Sequence, residues 1–298
     1  MGTCRANDLR HLAGRKAGDP PILSQIIKRL LPFFLLFGSG LSAFGDIQPT
    51  QKPDFDIADF NKKFEVVQWL VRYDDVAWKT TDLLRASDKA ELARLGKEWF
   101  CFQAKDGLWH AVYGKLLNDK FDQVFHYVVD PAGRITRSAD KIDETFLVSH
   151  ARALDLAVTK LGESIPEDSP RHNSYIKQNP DKSFTVWLLP AFQTNGIAVY
   201  GGEFIYSIDP TAQKITKDES YFQGAFRGFK SQPPREIWLN YREKDKPTLG
   251  SIFFVWYYKQ YFTKIFIDNS KTTSTVIKTG DEYMWVHVVK DQKNARSD

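Results

Sequence analysis

The longest apolar run of this chain lies close to its N-terminus and is followed by small residues. Lys28 and Arg29 precede the run at residues 30–37, and glycine, serine and alanine predominate in the eight residues after it. This order of positive charge, apolar segment and small residues is typical of a secretory signal. The run is shorter than the ~20 apolar residues of a membrane-spanning helix. The fold must therefore be built from the chain that follows.

The small residues after the run define a cleavage position. Ala43 and Gly45 stand three and one residues before a cut at Asp46, where signal peptidase requires small side chains. We predict that residues 1–45 are a signal peptide and that residues 46–298 form an extracytoplasmic protein, periplasmic or secreted. The alternatives are an uncleaved N-terminal anchor, a transit peptide and a misread start codon.

The positive charge of the chain lies largely in this predicted leader. The whole chain holds 41 lysines and arginines against 37 aspartates and glutamates. Residues 1–45 contain six of the basic and two of the acidic residues, which leaves 35 of each in residues 46–298. Such a balance favours neither nucleic acid nor an anionic membrane surface. We predict no nucleic-acid partner and no stable membrane span after cleavage.

The two cysteines cannot form a disulfide in the mature chain. Cys4 lies in the predicted leader, and Cys101 is alone after it. Stability must then come from a core, and a chain of this length buries roughly 70–75% of the surface that its unfolded form exposes. Because Cys101 lies among aromatic residues without a cationic partner, we interpret it as a small buried hydrophobe and not as a nucleophile.

Three segments show the spacing or the end residues of helices. The first helix begins between Asp54 and Asp59, after a polar linker. A short second helix is predicted over residues 87–95. The third begins after Asp143 and closes at Gly162. The apolar stripes comprise Phe60, Phe64, Val67, Val71 and Trp78 in the first helix, and Leu147, Ala151, Leu154, Val158 and Leu161 in the third.

The rest of the chain alternates like strands and contains a weak internal repeat. In residues 99–136, and again in 174–216, two apolar strands flank a polar turn and a further strand ends in Asp-Pro. The aspartate can bond the turn backbone, and proline presets φ at the first central position. Asp130 and Asp209 are therefore predicted to begin equivalent turns between antiparallel strands.

These elements predict an α+β fold. It is a mostly antiparallel sheet built from hairpin units, with helices near the mature N-terminus and between two hairpin units. We predict a single α+β domain over residues 46–298. Residues 221–234 contain two glycines and two prolines and are predicted to be a linker, at which a boundary between two lobes would fall.

The histidines are candidate bases or metal ligands. His110 and His126 lie on strands joined by a short turn, and two facing imidazoles can begin a metal site. No further ligand motif lies nearby, so we interpret them as partly exposed strand residues. His150 is interpreted as a packed core residue, His172 as a loop residue without a partner, and His287 as a residue on the wet face of the last strand.

The most suggestive acidic group is Asp74, Asp75 and Asp82, with Trp78 between them. Paired carboxylates can perform acid–base chemistry. Asp75 falls on the apolar stripe of the first helix, where an unpaired carboxylate costs several kcal/mol. It therefore either faces a partner or marks the end of the helix, and we favour a cap or turn.

Linear catalytic motifs are absent from the sequence. It contains no nucleophile elbow, zinc-protease motif, phosphate-binding loop or dinucleotide fingerprint, and Gly201-Gly202 is interpreted as a turn. The catalytic residues are accordingly unknown, and no cofactor or metal is predicted. The helix and hairpins over residues 145–218 loosely resemble PepSY-type modules, which are extracytoplasmic and inhibitory or regulatory. That likeness is compositional and implies no residue roles.

Residues 252–266 carry eight aromatic side chains, Phe253, Phe254, Trp256, Tyr257, Tyr258, Tyr261, Phe262 and Phe266. On a strand, its aromatic side chains would lie on both faces, which is expected of a strand that is covered on both sides. We therefore predict that this segment forms strands of a central sheet. Trp256 is expected to be buried. The alternative is an aromatic platform for a sugar or a peptide.

These features predict an exported non-enzymatic protein that binds a peptide, a glycan or a protein partner in the cell envelope through a sheet face. The alternative is a secreted or periplasmic hydrolase without a recognisable linear motif, with carboxylates or histidines from separate strands. A third hypothesis is a structural component of the envelope.

Export with cleavage before Asp46 can be checked by mass spectrometry of the protein recovered from an expressing cell. We expect a mature species that begins at Asp46, because the charged, apolar and small residues stand in signal order. A cytosolic species that retains residues 30–45 would contradict the prediction.

Overall fold

A computed structural model describes residues 55–231 and 235–290 of the chain. The predicted signal peptide, its cleavage position and the polar linker lie outside the described residues. Four helices and 13 strands form within them, and the strands are arranged in three sheets. The helices are α1 (Ile57–Leu84), α2 (Lys89–Leu92), α3 (Glu144–Ser164) and α4 (Leu249–Tyr258).

The first two sheets are built from consecutive hairpins. The first contains β1 (Glu98–Gln103), β2 (Trp109–Leu117), β3 (Lys120–Val129) and β4 (Ile135–Arg137) in that order. The second contains β5 (His172–Gln178), β6 (Phe184–Pro190), β7 (Ile197–Ile208) and β8 (Ile215–Asp218), and β9 (Tyr221–Lys230) also pairs with β7. All of these pairs are antiparallel.

The third sheet contains the exception to the antiparallel rule. Its order is β10 (Glu236–Tyr241), β11 (Lys264–Asn269), β12 (Thr272–Thr279) and β13 (Glu282–Val289). β10 and β11 are parallel, and the other two pairs are antiparallel. The predicted α+β class, with antiparallel hairpin units and interspersed helices, is confirmed.

The two predicted aspartate turns are confirmed. Asp130 lies between β3 and β4, and its carboxylate accepts a hydrogen bond from the Arg134 amide at 2.9 Å. Asp209 lies between β7 and β8, and its Oδ1 accepts from the amides of Gln213 and Lys214 at 2.9 and 2.7 Å. In both turns the side chain satisfies backbone N–H groups that no strand partner reaches.

The helix predictions were right about positions and partly wrong about ends. The Asp143 carboxylate caps α3 by accepting from the Phe146 amide at 2.8 Å. This helix continues through Gly162 to Ser164, so Gly162 does not close it. Val158 is 48% exposed and does not belong to the buried stripe.

α1 does not end at Asp75. It begins after its N-cap Asp56 and runs for 28 residues, past Asp75. Arg72 and Lys79 pair with the Asp75 carboxylate at 2.9 and 2.8 Å, one turn away on either side. The cap or turn interpretation was wrong, and the alternative of a carboxylate that faces a partner holds.

The predicted linker and the predicted glycine turn are both parts of strands. Residues 221–230 form β9, which pairs with β7 and does not act as a linker. Gly201 and Gly202 lie inside β7 at an irregularity in its pairing with β9. Gly201 has φ +86°, which the extra residue of a β-bulge commonly requires. The lobe boundary and the single domain stay predictions.

Most aromatic residues of the segment 252–266 lie in a helix, and only its last residues, 264–266, belong to a strand, β11. Residues 249–258 are α4, which connects the parallel strands β10 and β11. Parallel neighbours need a crossover, usually a helix, and cannot be joined by a tight turn. Most of the α4 side chains are buried, which explains why they are apolar on all sides. The strand prediction was wrong for residues 252–258, because a buried helix and a buried strand both lack polar faces.

Within the described residues the hydrophobic core consists of two clusters, each formed by helices and strands together. α1 and α4 pack together in one, and α3 packs on the first two sheets in the other. Cys101 is fully buried, as predicted, and burial raises the pKa of its thiol well above the ordinary value. A thiolate is therefore strongly disfavoured there.

Gly250, in the first turn of α4, allows the helix to approach Glu203 on β7. A Cβ at Gly250 would lie 2.5 Å from Cδ and 2.8 Å from Cβ of Glu203. Glu203 is 2% exposed and has little room to move. Gly162 of α3 is exposed, and nothing lies within 4 Å of its added Cβ.

We expect opposite effects from the same substitution at these two helical glycines. Gly250→Ala should lower the free energy of unfolding by about 1–3 kcal/mol, through overpacking against Glu203. Gly162→Ala should raise it by about 0.5–1 kcal/mol, because alanine favours the helix. Urea denaturation of both variants checks the pair. A neutral or stabilising Gly250→Ala would show that α4 moves away from β7 without cost.

Candidate functional site

A cavity of about 670 Å³ opens where α1, β5, the β6–β7 loop and the end of α4 converge. Its volume falls within the range of about 300–1,000 Å³ that is typical of small-molecule sites. Eight of its 20 lining residues are aromatic, and the polar ones are mainly amides and hydroxyls. This composition, mostly apolar with a few polar groups, is also that of a ligand site.

The Asp74 carboxylate accepts three hydrogen bonds at the cavity. The Tyr257 hydroxyl donates to its Oδ2 at 2.5 Å, and the Tyr175 hydroxyl donates to its Oδ1 at 3.1 Å. The Asn173 amide donates to Oδ1 at 3.4 Å. Three donors from two other elements therefore fix the orientation of this carboxylate.

The local structure explains why these residues meet. Asp74 and Trp78 are one turn apart and share a face of α1. Asn173 and Tyr175 alternate on β5 and so lie on the same side of the strand. Tyr257 lies in the last turn of α4. The sequence analysis singled out Asp74 but missed its donors, and alternation on β5 was the one available signal for Asn173 and Tyr175.

The two tryptophans of the cavity differ in how they pack. Trp256 stands edge-on to Phe64 at 4.7 Å between ring centroids and also contacts Trp285 and Tyr283. It is half-buried, so the prediction of burial inside a strand was wrong in both location and degree. Trp78 is half-buried too, but among the described residues it belongs to neither core cluster.

Lys259 places a cation on the aromatic wall. Its Nζ lies 4.1 Å from the Trp256 ring centroid and 5.2 Å from that of Tyr283. The ammonium also donates to the Trp256 carbonyl at 2.7 Å. Burial lowers the pKa of Lys259 to about 8, so the lysine is mostly charged at neutral pH. The rings and the carbonyl thus hold this charge at the cavity edge.

The acidic residues do not form a pair that is suited to hydrolysis. Asp74 and Asp75 both line the cavity, but adjacent helical residues point about 100° apart. Asp75 is held by two cations of its own helix. Asp82 pairs with Arg85 on the exposed surface and lies outside the cavity lining.

The five histidines of the described residues lie outside the cavity lining. His110 and His126 contact each other, with Nδ1 of the first 2.8 Å from Nε2 of the second. His126 is 3% exposed, so the partly exposed interpretation is wrong for it. Burial lowers the pKa of both rings, which favours a neutral pair that shares one hydrogen bond.

The other three histidines are structural. His150 is buried and contacts the Phe146 carbonyl through Nδ1 at 2.7 Å, and burial lowers its pKa to about 4, as expected for a core residue. His172 begins β5 and has carbonyl oxygens near both ring nitrogens, so it does not lack partners. His287 packs on Phe55 and Phe60, and the prediction of a wet face was wrong.

Glu203 is a buried carboxyl beside the cavity that the sequence analysis missed. It accepts a hydrogen bond from the Thr248 hydroxyl and another from the Tyr241 hydroxyl at 3.3 Å. Burial raises its pKa to about 7. Phe253 and Tyr258 separate it from the cavity, since both line the cavity and the small void next to Glu203. Glu203 therefore supports α4 from behind the cavity wall.

The outer face of the third sheet carries exposed apolar residues. Trp238 is 51% exposed and stacks on Phe266, with 4.2 Å between ring centroids. Met284 and Val288 on β13 are 49% and 58% exposed. This face is the surface that fits the predicted sheet-face binding, which stays a prediction.

Nowhere in the described chain do three or more His, Cys, Asp or Glu side chains come together in a way that could hold a metal ion. None of the helices in residues 55–231 and 235–290 combines the length and the apolar character that crossing a membrane requires. Comparisons with protein-family models, curated proteins and solved structures found no match for this chain. The PepSY-type likeness therefore stays a resemblance in composition.

Replacing Glu203 by glutamine should remove a pH dependence of stability. Its pKa is raised from 4.5 to about 7 by burial, so its contribution is fully present below about pH 4.5 and is lost as pH rises through about 7. At about 1.4 kcal/mol per pH unit, the loss amounts to about 3 kcal/mol. Glu203→Gln should match the wild type at the acid end and be more stable above pH 7.

Urea denaturation of both proteins from about pH 4.5 to about pH 8 checks this prediction. The difference between the two curves isolates Glu203, because every other titrating group is common to both. Parallel curves would show that Glu203 keeps an ordinary pKa in the folded protein.

Proposed function

We propose that this chain is an exported, non-enzymatic binding protein whose ligand occupies the cavity between α1, β5 and α4. The observation that carries the proposal is the oriented Asp74 carboxylate within an aromatic cavity of about 670 Å³. Pre-oriented polar groups in an apolar concavity fix a ligand without the entropy cost of ordering them on binding.

The proposed location of this function is supported by the N-terminal sequence. The signal-like order at residues 28–45 supports an extracytoplasmic protein, periplasmic or secreted. Its partners there would be a glycan, a peptide or an envelope protein. The balanced charge of residues 46–298 supports a partner other than nucleic acid.

The alternative is a secreted or periplasmic hydrolase that uses Asp74. General acid–base catalysis needs a second group positioned across the reacting bond. Asp75 is engaged by Arg72 and Lys79, and the described histidines lie away from the cavity. Binding therefore accounts for the site better than hydrolysis does.

Two tryptophan variants separate the cavity from the exposed sheet face. Trp78→Ala removes a half-buried ring from the cavity, and Trp238→Ala removes a half-exposed ring from β10. Wild type and both variants are titrated by calorimetry with neutral oligosaccharides and with short peptides. We expect binding that Trp78→Ala weakens at least about tenfold, the equivalent of 1.4 kcal/mol, and that Trp238→Ala leaves unchanged.

The reverse pattern would move the binding site to the sheet face and contradict the cavity proposal. The same mixtures are analysed by mass spectrometry for cleaved products. Turnover that Asp74→Asn abolishes would establish the hydrolase alternative. The absence of binding to every probe would overturn the proposed function.

A further inference from the structure

Trp78 presents an indole ring at the cavity that the core does not use. It belongs to neither hydrophobic cluster of the described residues. Trp256, in contrast, is covered by Phe64, Trp285 and Lys259. A tryptophan that is half-buried in a cavity wall offers a flat apolar surface to a ligand.

Further flat surface comes from Phe192 and Tyr261. Their rings are stacked at 6.1 Å with 28° between planes, and both line the same cavity. Phe192 belongs to the β6–β7 loop and Tyr261 follows α4, so they reach the cavity from elements other than that of Trp78. A ligand with apolar ring faces would find such surfaces on more than one side of the cavity.

The polar lining is suited to hydroxyl groups. Asn173, Gln193 and Gln260 contribute amides, and Thr194 and Ser231 contribute hydroxyls. Amides and hydroxyls both donate and accept hydrogen bonds, as sugar hydroxyls do. The oriented Asp74 carboxylate adds a strong acceptor for a hydroxyl donor.

The charges at the cavity have protein partners. Arg72 and Lys79 pair with Asp75, and Lys259 is held by a carbonyl and two rings. A charged ligand would have to compete with these contacts and lose its own hydration. An uncharged ligand avoids both costs.

A peptide fits the site less well. One recurring mode of peptide binding adds a strand to a main-chain edge. The two β5 residues at the cavity, Asn173 and Tyr175, take part through side chains that bond Asp74. The lining therefore offers ring faces and side-chain polar groups in place of a strand edge.

We infer that the ligand of this cavity is an uncharged carbohydrate, bound as a short segment of a glycan chain with a sugar face on Trp78. This inference rests on the proposed function. It adds the chemical class of the ligand and names Trp78 as the residue that stacks on it.

The test is a calorimetric titration of the full mature chain with four neutral hexasaccharides, derived from cellulose, starch, xylan and chitin. A hexamer of galacturonic acid, a hexamer of glucosamine and penta-alanine serve as the anionic, cationic and peptide probes. We expect at least one neutral hexasaccharide to bind and the other three probes to bind at least about tenfold more weakly.

Three variants assign the binding to the cavity. Trp78→Ala should weaken binding of the neutral sugar at least about tenfold, and Trp78→Phe should restore part of it, because phenylalanine keeps a flat ring. Thr194→Trp adds bulk at an exposed lining position and should also weaken binding. Thr159→Trp, on the exposed side of α3, is the matched control and should bind like wild type.

The outcomes separate this inference from the proposed function. Binding of penta-alanine or of a charged hexamer with the same dependence on Trp78 would overturn the carbohydrate class and leave the cavity as a binding site. Neutral-sugar binding that ignores Trp78 and Thr194→Trp would overturn the stacking role. A failure of all seven probes to bind would overturn both proposals.

Discussion

The hydrogen-bonded carboxylate of Asp74 joins three elements that also pack on one another through the rings of Tyr73, Tyr175 and Phe253. Tyr257 of α4 and Tyr175 of β5 bond to it, although they lie 183 and 101 residues after Asp74 in the sequence. A hydrogen bond to a charged group contributes about 1.5–3 kcal/mol, more than a neutral one. The contact therefore fixes the relative positions of α1, β5 and the end of α4, and with them the shape of the cavity.

The opposite end of α4 is held by a second carboxyl. Thr248 caps the helix by accepting from the Ser251 amide and also donates to Glu203 on β7. Gly250 lets the helix approach that strand closely. The helix is thus attached to β7 at its start and to α1 at its end, so its aromatic side chains are presented to the cavity from a fixed position.

The parts of the fold that were predicted correctly depend on neighbours in sequence. Asp130, Asp209 and Asp143 each bond backbone amides within five residues. Such contacts involve only a few adjacent positions, so turns and helix caps can be predicted from the sequence without knowledge of the fold. The cap or turn interpretation of Asp75 was wrong, although its partners are also local. The apolar stripe suggested that an unpaired carboxylate would be buried there, but in the structure Asp75 forms two ion pairs.

The site could not be predicted in the same way. Asp74 was a candidate, but its donors lie on elements whose approach depends on the packing of α4. That segment was taken for a strand because its aromatics showed no polar face. The parallel pairing of β10 and β11 explains why the segment is a helix, since parallel neighbours need a crossover connection. That pairing is a long-range fact, so neither the helix nor Tyr257 at its end could be derived from local pattern.

The two tryptophans of the cavity differ in how the packing of α4 on α1 uses them. Trp256 and Tyr257 are neighbours on α4, yet Trp256 packs on Phe64 of α1 and Tyr257 bonds Asp74 ten residues further along α1. With both contacts made, α4 stays attached to α1 along this stretch. Trp78, one turn beyond Asp74, belongs to neither core cluster of the described residues. Because the core does not use its half-buried indole, Trp78 gives the cavity an apolar wall for a ligand to use.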